Sequence, residues 1–190
     1  MRIRSAICAV IAATAIISST GCSTQPSAAE GPQGNTVQLH ASWAKGYPTL
    51  KQLVADSDAI VRGAFAGQKT TLVEGLPYTD STFVVSQWIK GSSVGGNEIV
   101  VRQTGGQMGG KQYVVEGDPI AKPGEQALLY LEKTPGDIYA ALGGPTGRLA
   151  VQGDGSVAKL KDTSLTEPLP SSITNLVQTT KRTVASQRTK

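Results

Sequence analysis

The chain has 190 residues, 39% hydrophobic and 17% charged, with 22 glycines, 10 prolines and a formal net charge of +4. That length suffices for one domain with a proper core and falls short of two ordinary ones, and low charge with abundant glycine excludes a coiled coil or a charge-driven disordered chain in favour of a turn-rich β protein. One histidine and two cysteines exclude most metal sites and catalytic triads at the outset.

Arg2 and Arg4 precede an apolar run from about Ala6 to Ile17, and Ser18-Ser19-Thr20-Gly21 then leads to Cys22. A basic start, a short apolar stretch and small residues at the cut predict a secretory signal over residues 1–21, too short for an ordinary spanning helix. The small-residue–Gly–Cys ending resembles the lipobox of bacterial lipoproteins, although Ser19 stands where that family prefers Leu, Val or Ile. The resemblance implies that the Cys22 thiol receives a diacylglyceryl group and that cleavage falls just before it. Cys8 lies in the discarded run, so Cys22 is the one cysteine of the mature chain and no internal disulfide is expected. The expected location is the extracytoplasmic face of the cell membrane, held by lipid.

Loss of Arg2 and Arg4 leaves 16 basic residues against 14 acidic ones, and Lys181, Arg182, Arg188 and Lys190 crowd the last ten positions. The basicity therefore belongs to the tail, which reads as a solvated C-terminus. Nucleic acid is not an expected partner, since no basic-aromatic motif is present.

Residues 22–46 are rich in Ser, Gln, Gly, Pro and Ala and read as a lipidated start and flexible tether, with His40 and Trp43 at the far end. The domain proper is expected over 47–170. Thr49 caps a short helix with Leu50, Leu53 and Val54 on one face. Strands are predicted at 59–65, 82–89, 99–104, 113–115, 127–131, 138–142, 149–151 and 157–160, with Gly153-Asp154-Gly155 turning the last pair. Ala127–Leu131 is apolar on both faces and reads as a central buried strand. A helix over 171–190, capped by Ser171 or Ser172, carries Ile173, Leu176, Val177 and Val184 as an apolar stripe. The fold expected is mainly β: a small closed or partly open OB-like barrel or sandwich with a short N-terminal helix and a C-terminal amphipathic helix.

The helix followed by Asp56-Ser57-Asp58-Ala59-Ile60-Val61-Arg62-Gly63, then Thr82-Phe83-Val84-Val85 leading to Trp88-Ile89-Lys90-Gly91, then Pro119, Lys122-Pro123-Gly124-Glu125 and Leu128-Leu129-Tyr130-Leu131, forms a recognisable order. It resembles exported bacterial proteins and, more remotely, the netrin-like, OB-type barrels that include tissue inhibitors of metalloproteinases. Those inhibitors act through a free N-terminal cysteine and are stapled by disulfides, so the resemblance implies the barrel and not protease inhibition.

Chemistry finds few footholds. His40 in the tether is poorly placed to act as a base. The pairs Asp56 with Asp58 and Glu116 with Asp118 read first as a helix end and a turn. Thr104-Gly105-Gly106-Gln107-Met108-Gly109-Gly110-Lys111 lacks the spacing of a phosphate cradle and reads as a long hairpin loop, and Gly143-Gly144-Pro145-Thr146-Gly147 is a second glycine-rich loop. Gln107, Met108, Lys111 and Thr146 are the candidate binding residues, on the expectation that the two loops meet at one end of the barrel. No catalytic residue, metal or cofactor is assigned. The favoured function is a non-enzymatic binding module of the cell envelope, with a protein or polymer partner; the alternative is a hydrolase acting on an envelope polymer through carboxylates.

Overall fold

The computed structural model describes residues 35–92 and 95–188; the segment 1–21 expected to be a signal, and Cys22, lie outside the described residues. The fold grows from a long hairpin. Strands β2 (Ala59–Val73) and β3 (Leu76–Lys90) run antiparallel around a two-residue Glu74–Gly75 turn, with Val73 opposite Leu76 and Phe65 opposite Phe83. Strand β4 (Glu98–Met108) pairs β3 antiparallel, and β6 (Gln126–Thr134) pairs the other edge of β2. The short β7 (Ile138–Ala141) then lies antiparallel to β6 and parallel to β4. The pairings β2–β3–β4–β7–β6 thus return on themselves, but only three residue pairs, Val100–Arg102 with Ile138–Ala140, join β4 to β7. The result is a mainly β, OB-like barrel that is partly open.

Three additions extend it. Strand β5 (Lys111–Val115) folds back on the end of β4, and β1 (Thr36–Leu39) lies parallel to β5 at the edge. On the far side β8 (Arg148–Val151) continues along β6 where β7 leaves off, and β9 (Val157–Lys159) completes the sheet. Helix α1 (Leu50–Asp56) starts at the Thr49 cap as its sequence predicts, and α2 (Ile173–Arg188) starts at Ser172, whose hydroxyl accepts from the Asn175 N–H at 3.3 Å. No helix among the described residues is long and apolar enough to cross a membrane.

There are two cores, and β6 separates them. Val61, Phe65, Phe83, Val101, Leu129 and Leu131 fill the interior of the barrel, where the two phenylalanine rings meet edge to face at 4.9 Å. Leu128 and Tyr130 point the other way, into a layer formed by Leu53 and Val54 of α1 and by Leu176 and Val177 of α2. The predicted stripes of both helices are the residues buried, and β6 is buried on both faces as expected.

Several boundaries differ from the sequence reading. β2 and β3 run eight residues and six residues further toward their shared turn than predicted, because Gln68–Thr71 and Tyr78–Ser81 pair in register without the apolar alternation that announces a strand. The stretch 104–111 is no long loop: β4 continues through Met108 and turns on Gly109–Gly110. The tether is built into the domain over its last part, where Thr36–Leu39 forms β1 and Lys45 pairs with Asp56.

In the helix-side core, the buried Tyr130 hydroxyl lies 2.9 Å from the Thr180 hydroxyl of α2, and burial raises the Tyr130 pKa. Tyr130→Phe or Thr180→Val alone leaves one buried hydroxyl unpaired and is expected to cost about 1–3 kcal/mol in urea unfolding. The double variant is expected to cost less than the sum of the two, because both partners are removed together.

Candidate functional site

The barrel is open where β4 changes partners. On one edge β4 holds β7 at Val100–Arg102 and β5 at Gly105–Met108, and Gln103 and Thr104 fall between these two partners. The chain changes direction at Gly105–Gly106. A Cβ on Gly106 would stand 2.8 Å from the Thr79 hydroxyl and 3.1 Å from that of Thr70, so only glycine allows β4 to cross the β2–β3 hairpin so closely.

A matching break occurs on the other wall. β6 pairs Leu131 with Ala141 and then Leu129 with Arg148; Leu142 still donates its N–H to the Tyr130 carbonyl oxygen, and the chain then leaves the ladder and winds into a 3-10 turn (Gly144–Gly147). Trp43 packs directly on Gly144, whose missing side chain makes room for the indole: a Cβ there would lie 2.1 Å from the ring, and its φ of 56° also favours glycine.

Between these breaks lies a cavity of about 400 Å³, lined by Trp43, Val73, Tyr78, Thr104, Ala141 and Gly144 among others, with Gln103 and Asp118 also in its wall. Behind it Asp118 and Arg148 form a buried ion pair, Nη2 to Oδ1 at 3.1 Å, with both side chains 6% exposed. The same Nη2 donates to the Pro119 carbonyl oxygen, while the Gln103 amide donates to Asp118 and accepts from the Ala121 N–H at 2.9 Å. Burial pushes the Asp118 carboxyl upward against the pull of Arg148 and Gln103, and burial likewise pulls the Arg148 guanidinium downward.

The outer wall carries a second pair. Arg102 grips Asp80 with two bonds, Nε to Oδ1 at 2.6 Å and Nη2 to Oδ2 at 2.8 Å, and stacks over Tyr78 at 5.7 Å from the ring centre. The Thr71 hydroxyl adds a bond to Asp80 at 2.9 Å. The hydrogen bond from Arg102 is the main reason that the Asp80 carboxyl titrates below its usual range. These contacts hold the β2–β3 hairpin close to its turn, and its tip presents Leu72, Val73 and Leu76, 59%, 36% and 49% exposed, with Val73 lining the cavity that the 39% exposed Trp43 also lines.

The residues singled out from sequence are only partly gathered here. Thr104 and Gly144 line one cavity, so the two glycine-rich segments do meet. Gln107 lies round the hairpin in a separate polar groove with Lys69 and Thr70, paired across β5 with Gln112, while Met108 and Lys111 flank the turn beyond it. Thr146 differs from the expectation of an exposed loop: it is 1% exposed and hydrogen-bonded to the Ser164 hydroxyl at 3.0 Å, because the 3-10 turn folds inward under Trp43. His40 is exposed just past β1. Asp56 pairs with Lys45 and Asp58 accepts from the Lys133 N–H at 2.7 Å, so both carboxylates serve structure at the end of α1. The residues that build the site and were not singled out are Tyr78, Asp80, Arg102, Gln103 and Arg148; the one sequence cue for them is the short apolar run around Glu74-Gly75, a hairpin-turn signal. Among the described residues no group of three or more His, Cys, Asp or Glu gathers to hold a metal ion. Neither a protein-family model nor a curated protein matches the chain.

Two measurements test these pairs. The depressed Asp80 pKa means that its contribution to stability is complete above the unfolded value near pH 4 and is lost as pH falls through the lower folded value. Unfolding of Asp80→Asn followed from pH 6 to pH 2.5 is therefore expected to show a weaker loss of stability on acidification than the wild type. Asp118 has the opposite sign: its raised pKa gives a contribution that is complete below the unfolded value near pH 4 and is lost as pH rises through the higher folded value, so it does not mimic this effect. For the buried pair, Asp118→Leu alone is expected to cost about 3–5 kcal/mol by leaving the Arg148 charge unpaired, and Asp118→Leu with Arg148→Met recovers most of that loss.

Proposed function

We propose that this chain is an exported, lipid-anchored binding module of the cell envelope without catalytic activity, and that it meets an envelope protein through the tip of the β2–β3 hairpin. The observation that carries the reading is the exposure of Leu72, Val73 and Leu76 at one hairpin tip, where Val73 lines the same cavity as the exposed Trp43. Soluble surfaces scatter single apolar residues freely, but several large ones gathered on a projecting arm mark an interaction site. A two-residue turn, a ladder unbroken from Gln68 to Val73 and the Arg102–Asp80 grip hold the tip in place, so little conformational freedom is lost on contact. Trp43 supplies the flat aromatic surface that is enriched where partners bind tightly.

Of the four carboxylates that the alternative hydrolase reading would draw on, Asp56 and Asp58 are engaged at the end of α1 and Asp118 with Arg148. The lipid anchor is part of the proposal and rests on the residues before Cys22. Two or more acyl chains on that cysteine hold a protein to a membrane durably, where a single chain is marginal.

The test is photocrosslinking in cells, with the probe at position 73 of the full-length protein, read by mass spectrometry. A single envelope protein is expected, and its recovery falls about tenfold in the double variant Leu72→Ser, Leu76→Ser at unchanged melting temperature. Cys22→Ala is expected to move the protein out of the membrane fraction. Equal recovery from the double variant overturns the hairpin site; a membrane-bound and normally cut Cys22→Ala overturns the anchor.

A further inference from the structure

Asp118 has an oxygen to spare. The Gln103 amide and Arg148 Nη2 both donate to its Oδ1, at 3.3 Å and 3.1 Å, and no described residue donates to Oδ2. The side chain is only 6% exposed. Yet Arg148 Nε is the one fully enclosed side-chain polar atom without a hydrogen bond among the described residues, so Oδ2 is not fully enclosed. Asp118 lines the cavity beneath Trp43 and not the one beside Phe65, so its free oxygen is reached from the Trp43 side. A nearly buried carboxylate oxygen can only accept, and leaving it without a donor is costly.

We infer that this cavity of about 400 Å³ is a binding site for a small neutral molecule with a compact apolar body and one hydroxyl, which donates to Asp118 Oδ2. Three features select that class. Both charges in the wall are already matched, Asp118 by Arg148 and Arg102 by Asp80, so neither an anion nor a cation finds a free counter-charge. The one strongly polar atom left over is an acceptor, and an O–H donated to a carboxylate makes a short, strong bond. The Gln103 amide and the Thr134 hydroxyl in the same wall are spent on protein groups. The remaining surface, with Trp43, Val73, Tyr78 and Ala140, takes a hydrocarbon body, and the volume lies in the usual range for small-molecule sites, about 300–1,000 Å³. The site is separate from the protein partner proposed above. Val73 and Trp43 border both, but the buried Asp118 is no part of the exposed tip, and binding here needs no partner.

The probe is 4-methylphenol, with 4-methylanisole as the ether that cannot donate and 4-methylbenzoate as the anion. Each is titrated at free concentrations fixed by dialysis into the full chain in lipid nanodiscs. Saturable movement of the Trp43 indole N–H resonance is expected, while that of Trp88, which lines a different space, stays in place. The ether and the benzoate are expected to bind at least about tenfold more weakly than the phenol. Asp118→Leu with Arg148→Met removes the acceptor and its counter-charge together, and the preference for phenol over ether is expected to vanish in that variant. If it does not fold, Ala140→Leu, at a half-buried position in the cavity wall, is expected to weaken the phenol at least about tenfold. No saturation up to about 10 mM phenol, or equal affinity for the phenol and either match, overturns the proposal. So does a folded double variant that keeps the preference, or a folded Ala140→Leu that binds the phenol like wild type.

Discussion

Because β6 has no solvent face, the five residues from Ala127 to Leu131 hold both cores together: Ala127, Leu129 and Leu131 look into the barrel, and Leu128 and Tyr130 look toward the helices. The same strand pairs β2 along one edge and both β7 and β8 along the other. A strand so placed needs every backbone group in a ladder and every side chain apolar or partnered, since nothing there is solvated. Tyr130 is the one hydroxyl among these five residues, and Thr180 answers it. A slip of one residue in this strand would exchange the two faces and place tyrosine inside a barrel packed for leucine and alanine, so the register of the whole sheet follows from this stretch.

The opening of the barrel is a consequence of how that outer edge is served. Two strands take turns along β6, and the six residues between them must go somewhere. They turn inward as Gly144–Gly147 and are covered by Trp43, which leaves β4 without a strand partner on that edge at Gln103 and Thr104. The gap is closed by side chains instead of by backbone. Gln103 reaches back to Ala121, and Asp118 and Arg148 fill the space beside it. Cavities lie next to the gap because a polar cluster with fixed bond directions cannot fill a space as closely as branched apolar side chains do.

Much of this is legible in the sequence where local chemistry and tertiary packing agree. Thr49 and Ser172 cap the helices that their positions predict, the stripes on α1 and α2 are the buried ones, and β6 is marked by being apolar at every position from Ala127 to Leu131. What stays hidden depends on contacts far apart along the chain. Gln68–Thr71 and Tyr78–Ser81 form strands because they face each other across a tight turn, although neither shows an apolar alternation of its own. Arg102 and Asp80 stand 22 residues apart, Asp118 and Arg148 stand 30 apart, and no spacing rule brings either pair together. Trp43 reads as part of a spacer because its surroundings are polar and irregular; its role comes from Gly144, about a hundred positions away, which has no side chain to stand in its place.

The position of the Asp118–Arg148 pair bears on what the open barrel is for. A buried ion pair seldom stabilises a fold more than apolar residues of the same size, because desolvating two charges offsets most of their attraction. Burial raises the Asp118 pKa in spite of Arg148, and lowers that of Arg148 in spite of Asp118, so desolvation outweighs attraction on both sides. Leucine and methionine could occupy the same gap without desolvating a charge. A charged pair there is better understood through what it offers to the spaces beside it: Asp118 contributes to the wall beneath Trp43, and Arg148 contributes to the wall beside Phe65. The pair therefore sits where β4 loses its strand partner, with one charge in the wall of each cavity.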